Sequence, residues 1–320
     1  MRLVSFVIPV YNEEKGIERF CEKELFPELK NLEKSYSLEL IFVNDGSPDR
    51  TLEKLNSLLK SPAAPKSTKL ISFSRNFGKE AALTAGFRLA KGDCAISLDS
   101  DGQQPPSLIP KFLEKWESGA KIVTGVRDGY TKHGLIPRLG SKLFYKLLKI
   151  MGNNSTVPGS TDFRLLDRAA LDEFNALSEH NRITRGLIDW LGYRQEYIKY
   201  LYGTRIAGRP SYNLKKLFHL AIDSFVSMSS TPLVIFGYVG IIFTVLSFLL
   251  GVFCLINQYL LGDPLGLYWP GAVHMAILIT FLIGLVLISQ AITAVYISNI
   301  YTEAKTRPLY IIDKENSKLK

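Results

Sequence analysis

Residues 94–106 read Cys-Ala-Ile-Ser-Leu-Asp-Ser-Asp-Gly-Gln-Gln-Pro-Pro. Cys94–Leu98 is a short apolar run of the kind that forms a buried strand, and it stops at Asp99-Ser100-Asp101. Two carboxylates at a strand end suit a hard divalent cation, Mg2+ or Mn2+, bridging protein and phosphate oxygens. Gln103 offers a further oxygen. The plainer alternative is a solvated acidic turn that caps the next helix.

The flanking sequence repeats this strand-then-polar grammar. Leu3–Val10 predicts a strand, followed by Tyr11-Asn12-Glu13-Glu14 and a helix over about Lys15–Lys34. Leu38–Val43 predicts a second strand, followed by Asn44-Asp45-Gly46-Ser47. A helix then runs over about Asp49–Lys60, with Ser47 or Asp49 as cap. Lys69–Phe73 and Ala120–Gly125 read as further strands, and Glu80–Ala90 as a helix. Such alternation predicts an α/β fold with a mostly parallel sheet and ligands at the carboxyl ends of its strands. Asp45 and Glu13 each leave two readings open: local turn or helix-end acid, or contact with a nucleotide.

Charge divides the chain of 320 residues. It carries 39 Lys and Arg against 30 Asp and Glu, yet none lies in Ser224–Gly262 or Pro264–Thr302. Within those stretches Leu233–Ile256 and Ala272–Ile297 each exceed the ~20 residues that cross a bilayer as a helix, and tyrosines and Trp269 cluster near their ends. The connecting segment, about Asn257–Gly271, has no Lys or Arg. Arg205, Arg209, Lys215 and Lys216 precede the pair, and Lys305, Arg307, Lys314, Lys318 and Lys320 follow it. That asymmetry predicts a multi-pass protein of the inner (plasma) membrane with both termini cytoplasmic. Three scattered cysteines argue for a reducing compartment. The basic excess beside apolar spans favours lipid and phosphorylated partners over nucleic acid. His133–Met151 and Leu214–Met228 interleave leucines with basic residues, as core helices or as helices lying on anionic lipid. The expected organisation is a catalytic domain over 1–212, a juxtamembrane helix over 213–230, a transmembrane hairpin over 231–300 and a basic tail over 301–320.

VIPVYNEE (7–14), VNDGSPDRT (43–51), SFSRNFGKEAALTAGF (72–87), LDSDGQQPP (98–106), STDFRLLDR (160–168), RGLIDWLGY (185–193) and IYTEAKTRPLYII (300–312) together resemble the family 2 glycosyltransferases of GT-A fold. The nearer likeness is to membrane-anchored polyprenyl-phosphate glycosyltransferases, which include bactoprenol glucosyltransferases and relatives of dolichyl-phosphate mannose synthase. The resemblance implies inverting transfer of one sugar, UDP-glucose being the first expectation, from a nucleotide diphosphate to a polyprenyl phosphate, by a homo-oligomer. It places Pro9, Tyr11, Asn12, Glu13, Asp45, Lys79 and Asp99 at the nucleotide sugar, and Asp99, Asp101 and Gln103 at the metal. Asp162 is either a catalytic base or a residue that orients the donor sugar or Arg164, its companion in the catalytic pair. Arg127, Arg138, Ser141, Lys142 and Arg205 are the candidates for the acceptor phosphate, since guanidinium groups suit bidentate phosphate contact.

The pattern departs from the family at Ser100, Gly102, Gln104 and Thr161, and at Ala294–Asn299, where a usual Glu and Arg are missing. Two other functions compete. A processive polysaccharide synthase would carry a QxxRW element and more spans; Trp190 here has neither the Gln nor the adjacent Arg. A non-catalytic scaffold would not need Asp99, Asp101 and Gln103 intact.

Overall fold

A computed structural model describes residues 1–128, 157, 159–180, 182–201, 249, 256 and 271–319. The chain divides into two units, one of Met1–Tyr212 with Arg307–Lys320 and one of Asn213–Thr306. The first is built on a sheet of seven strands: β1 (Leu3–Val10), β2 (Ser37–Asn44), β3 (Ser67–Ser72), β4 (Cys94–Ser97), β5 (Ile122–Asp128), β6 (Ser160–Asp167) and β7 (Gln195–Leu201). Their order is β3-β2-β1-β4-β6-β5-β7. β1 to β4 are mutually parallel and β5 is parallel to β7, while β6 runs antiparallel between β4 and β5. This is the expected α/β, mostly parallel, GT-A-like sheet.

Both faces of the sheet are covered, so the central strands are apolar almost throughout. The two-residue period of a strand sorts them. Val4, Phe6 and Ile8 of β1 join one core with Ile17, Phe20, Leu55, Ile109 and Phe112, whereas Val7 joins the other with Ala82, Leu83, Ala170, Phe174 and Ile188. The first helical stretch runs Ile17–Phe20, through a π-helical segment Cys21–Leu25, into Phe26–Leu32. Arg50 stands at the N-cap of helix Thr51–Leu59, but the side chain that accepts from its first turn is Asp49, bonded to Thr51 N at 3.1 Å.

Two strands escaped the pattern of apolar runs. β6 carries Asp162 and Arg164 in its middle, and β7 alternates buried and exposed residues at the sheet's edge. β6 is held by Phe163, fully buried and stacked on Phe112 at 4.3 Å between ring centroids; truncating such a phenylalanine costs ~3–5 kcal/mol.

In the second unit, Gly271–Ala304 is a helix of 34 residues. Among the described residues no helix is long and apolar enough to cross a membrane, so the two expected spans rest on sequence. The amphipathic stretches His133–Met151 and Leu214–Met228, and Arg138, Ser141, Lys142 and Arg205, lie outside the described residues. The tail does not simply trail away. Arg307–Lys320 belongs to the first unit and bridges the outer edge of β3 at Leu70–Lys318 and Phe73–Ile312.

Candidate active site

Parallel pairing brings the carboxyl ends of β1, β2 and β3 level: Val10 pairs with Asn44, and Asn44 with Ser72. β6 arrives from the opposite direction. Ser97 pairs with Arg164, so two further steps along each strand set Asp99 opposite Asp162. Ser97 Oγ donates to the Asp162 carbonyl at 2.6 Å and fixes that juxtaposition. One sheet edge thereby collects Tyr11–Glu14, Asp45, Asp99–Gln103 and Asp162.

The β1 and β2 loops are laced together. Ser47 Oγ accepts from Asn12 N at 3.1 Å, Thr51 Oγ1 from Glu13 N at 2.9 Å, and Asp49 Oδ2 from Glu14 N at 3.2 Å. Asn12 has a positive φ of 55°, a conformation asparagine tolerates better than most residues. Pro9 is buried in β1, while Tyr11 stands 44% exposed beside it.

Asp45 is buried and organises the loop that follows β3. Its Oδ1 accepts from Phe77 N at 2.7 Å, and its Oδ2 from Gly78 N at 2.9 Å and Asn76 Nδ2 at 2.8 Å. Burial pushes its pKa up, against the lowering effect of those backbone N–H groups. Gly46 lets the two loops touch: its φ is +61°, and a Cβ there would lie 2.2 Å from the Arg75 carbonyl carbon. The Asp45 side chain thus seats the entry to helix Lys79–Leu89.

Lys79 opens that helix, at the end where the backbone dipole disfavours a cation. Carboxylates offset this. Lys79 Nζ lies 2.5 Å from Asp99 Oδ1 and 2.7 Å from Asp162 Oδ2. Burial alone would lower its pKa, but Asp162 and Asp99 raise it overall, so the ammonium is held charged. Arg185 approaches Asp162 with two nitrogens, Nε on Oδ1 and Nη2 on Oδ2 at 2.9 Å. Burial would raise the pKa of Asp162; Lys79 and Arg185 overcome it and hold the carboxyl far below the usual range. A carboxylate so held is a poor proton acceptor.

Asp99 differs. Burial pushes it up, Lys79 opposes, and the neighbouring charges of Asp162 and Asp101 push it further. Gln104 grips it on two sides: its Oε1 accepts from Asp99 N at 2.8 Å and its Nε2 donates to Asp99 Oδ2 at 2.8 Å. Asp101 is buried and accepts from Gln103 N at 3.1 Å. Lys79 thus bridges Asp99 and Asp162, and Arg185 pairs with Asp162. Among the described residues no three His, Cys, Asp or Glu side chains converge as a complete ligand set. Asp101, buried, and Asp99, partly buried, offer hard carboxylate oxygens of the kind that suit a divalent cation.

Other expected residues sit elsewhere. Arg164 is 1% exposed and buried in the core, donating to Asp189 Oδ1 at 3.0 Å and to the Thr161 carbonyl at 3.1 Å. That geometry makes it a support of β6 and does not bring its guanidinium to a substrate. Arg127 lies at the end of β5, where its N donates to the Gly159 carbonyl at 2.9 Å, two residues from β6's Thr161. Reading the sequence overlooked Arg185, Gln104 and Glu80. Glu80 accepts from Thr184 N at 2.8 Å and so ties the Lys79 helix to the helix carrying Arg185. No spacing rule links those positions; the RGLIDW motif was the one available sign.

Residues 5–174 match the family model described as glycosyl transferase family 2. A bactoprenol glucosyl transferase of Shigella phage SfV is 36% identical over 316 residues, 98% of this chain and 99% of that one. An uncharacterised glycosyltransferase of Bacillus subtilis (strain 168), YkcC, is 37% identical over 321 residues, 98% of this chain and 96% of that one. Among solved structures, glucosyl-3-phosphoglycerate synthase from Mycobacterium tuberculosis, in complex with Mn2+ and UDP-glucose, is 19% identical. It covers 71% of this chain and 78% of its own, at a TM-score of 0.43.

Proposed function

This chain belongs to glycosyl transferase family 2 and is a glycosyltransferase, and on that premise we propose that it moves one hexose from a UDP-sugar to a polyprenyl phosphate at the cytoplasmic face of a membrane. The observation that carries the reading is the gathering of Asp99, Asp101, Lys79, Asp162 and Arg185 at one sheet edge. Likeness to a bactoprenol glucosyl transferase along nearly the whole chain supports the acceptor class.

The reaction needs little proton chemistry. An acceptor phosphate is already an anion; one of its oxygens bonds to the sugar's anomeric carbon as the bond from that carbon to the diphosphate breaks. The diphosphate leaves with the electron pair. Alignment and charge neutralisation are then the main demands. Asp99 and Asp101 would hold a divalent cation, with Gln103 beside them, and such an ion stabilises charge growing on the leaving diphosphate. Lys79 and Arg185 supply fixed positive charge next to it. Asp162 acts as the anchor that aims both cations, in keeping with its depressed pKa, rather than as a base. Asp45, Tyr11 and Glu13 frame the nucleoside side of the donor, and Arg127 the approach of the acceptor phosphate.

The membrane half of the reading is supported by sequence. Helix Gly271–Ala304 carries no Asp, Glu, Lys or Arg before Glu303. A cysteine at Asp263 is expected to react with an impermeant thiol reagent in intact cells otherwise lacking accessible thiols. Labelling of a cysteine at Lys314 instead would reverse the orientation.

Incubating membranes with labelled UDP-sugars and examining the lipid extract tests the reaction. One sugar per lipid phosphate is the expected product. A polymer would favour a processive synthase, and no transfer from any donor would leave a scaffold.

A further inference from the structure

We infer that the C-terminal segment Arg307–Lys320 is a strap that sets the loop between β3 and Lys79, with Tyr310 as its positioning residue for the nucleotide sugar. The inference rests on the donor-site reading above and adds an element to it.

β3 ends the sheet, and an uncovered edge strand leaves a row of backbone groups unpaired. The strap meets them. Leu70 and Lys318 exchange both backbone hydrogen bonds, at 2.8 and 2.7 Å. Asp313 N donates to the Ser72 carbonyl at 2.8 Å, Ser74 N to the Ile311 carbonyl at 3.0 Å, and Ser72 N to Ser317 Oγ at 3.0 Å. The strap also braces itself. Asp313 accepts from Glu315 N and Asn316 Nδ2, and Ser317 Oγ donates to the Asp313 carbonyl at 2.6 Å.

Its bonds fall on Ser72 and Ser74, the last residues before the loop Arg75–Gly78. Side chains continue the path. The Tyr310 ring stacks on Phe73, with centroids 5.0 Å apart and planes 12° from parallel. Phe73 meets Phe77 edge-on at 5.7 Å, and the Arg75 guanidinium covers the Phe77 ring at 4.1 Å. Phe77 N and Gly78 N are the donors that Asp45 receives, and Lys79 is the next residue. Tyr310 therefore reaches the two ends of the donor site, Asp45 and Lys79, through two ring contacts and one turn of backbone. It touches no part of the site itself.

The test measures UDP binding in the presence of Mn2+ by titration calorimetry, and donor and acceptor KM, on the purified full chain in detergent. Tyr310→Ala is expected to weaken UDP about three- to tenfold, the range a lost aromatic pair allows. Donor KM should rise in step while acceptor KM stays within twofold. Tyr310→Phe keeps the ring and should match the parent. Ile311→Ala, a half-exposed neighbour in the same strap, should also match it. If Tyr310→Ala does not fold, Tyr310→Leu is judged by the same criteria. UDP affinity and donor KM within twofold of the parent would overturn the inference, as would equal losses for donor and acceptor. A parent chain that binds no UDP would instead remove the donor reading, and the strap's role with it.

Discussion

The two ends of the candidate site hold buried carboxylates by different means. Around Asp45 the partners are neutral: two backbone N–H groups and an amide. Around Asp162 they are two cations, Lys79 and Arg185. Burial raises both acids, but N–H dipoles offset it only in part, so Asp45 ends above its ordinary value, while two full charges carry Asp162 far below. One end is a device for shape, holding a loop in place. The other gathers opposite charges around one carboxylate. Asp101, whose charge pushes Asp99 up, belongs to the second end.

The largest expected effect is at Asp101, one of the two carboxylates proposed to hold the metal. Asp101→Asn should lower turnover by at least ~10²-fold, equivalent to about 2.7 kcal/mol of transition-state stabilisation, in a steady-state assay with saturating donor. Unchanged turnover, or full activity in EDTA, would erase the distinction between the two ends.

Asp162→Asn should act on both activity and stability, because it removes the carboxylate that Arg185 pairs with and one of the two that hold Lys79. Breaking a buried pair costs ~3–5 kcal/mol. Lys79 and Arg185 are 40% and 45% exposed, so solvent screening reduces the expected loss to ~1–3 kcal/mol, read by urea denaturation at pH 7. Asp45→Asn should act mainly on donor KM, raising it several-fold as an acceptor of backbone N–H groups is lost, with the metal requirement intact.

The sharpest contrast is in pH dependence. Asp162 has a depressed folded pKa, so its stabilisation is present above the ordinary carboxylate value of ~3.9 and fades as pH falls toward the folded value. The cost of Asp162→Asn should therefore shrink in acid. Asp45 has a raised folded pKa, so its contribution is full below ~3.9 and is lost as pH rises through the folded value. The cost of Asp45→Asn should grow in acid. Denaturation of the parent and both variants from pH 8 down to about pH 2 measures the two slopes, and slopes of the same sign would contradict the comparison.

What could be read from sequence follows the same divide. β1 to β4 announce themselves because strands covered on both faces must be apolar, and the polar residues that end them mark the site's edge. β6 hides because Asp162 and Arg164 interrupt its apolar run. Their charges are tolerable only through Lys79, Arg185 and Asp189, which come from other elements. Arg185 and Glu80 are linked through Thr184 across about a hundred residues of chain, which no local pattern encodes. The strap's lysines outnumber its acids and so suggest a basic tail; Tyr310 and Ile312, which pack on the core, are the sign that it docks.

In the proposed reading, the Asp99–Asp101 end binds the diphosphate through a cation. Titrating UDP into the purified full chain with Mn2+, and again with EDTA, tests it most directly, alongside Asp101→Asn. The parent should lose at least tenfold in UDP affinity in EDTA, and Asp101→Asn should bind UDP weakly with or without Mn2+. Equal UDP affinity in Mn2+ and EDTA for the parent, or a variant that keeps the parent's Mn2+ dependence, would contradict it.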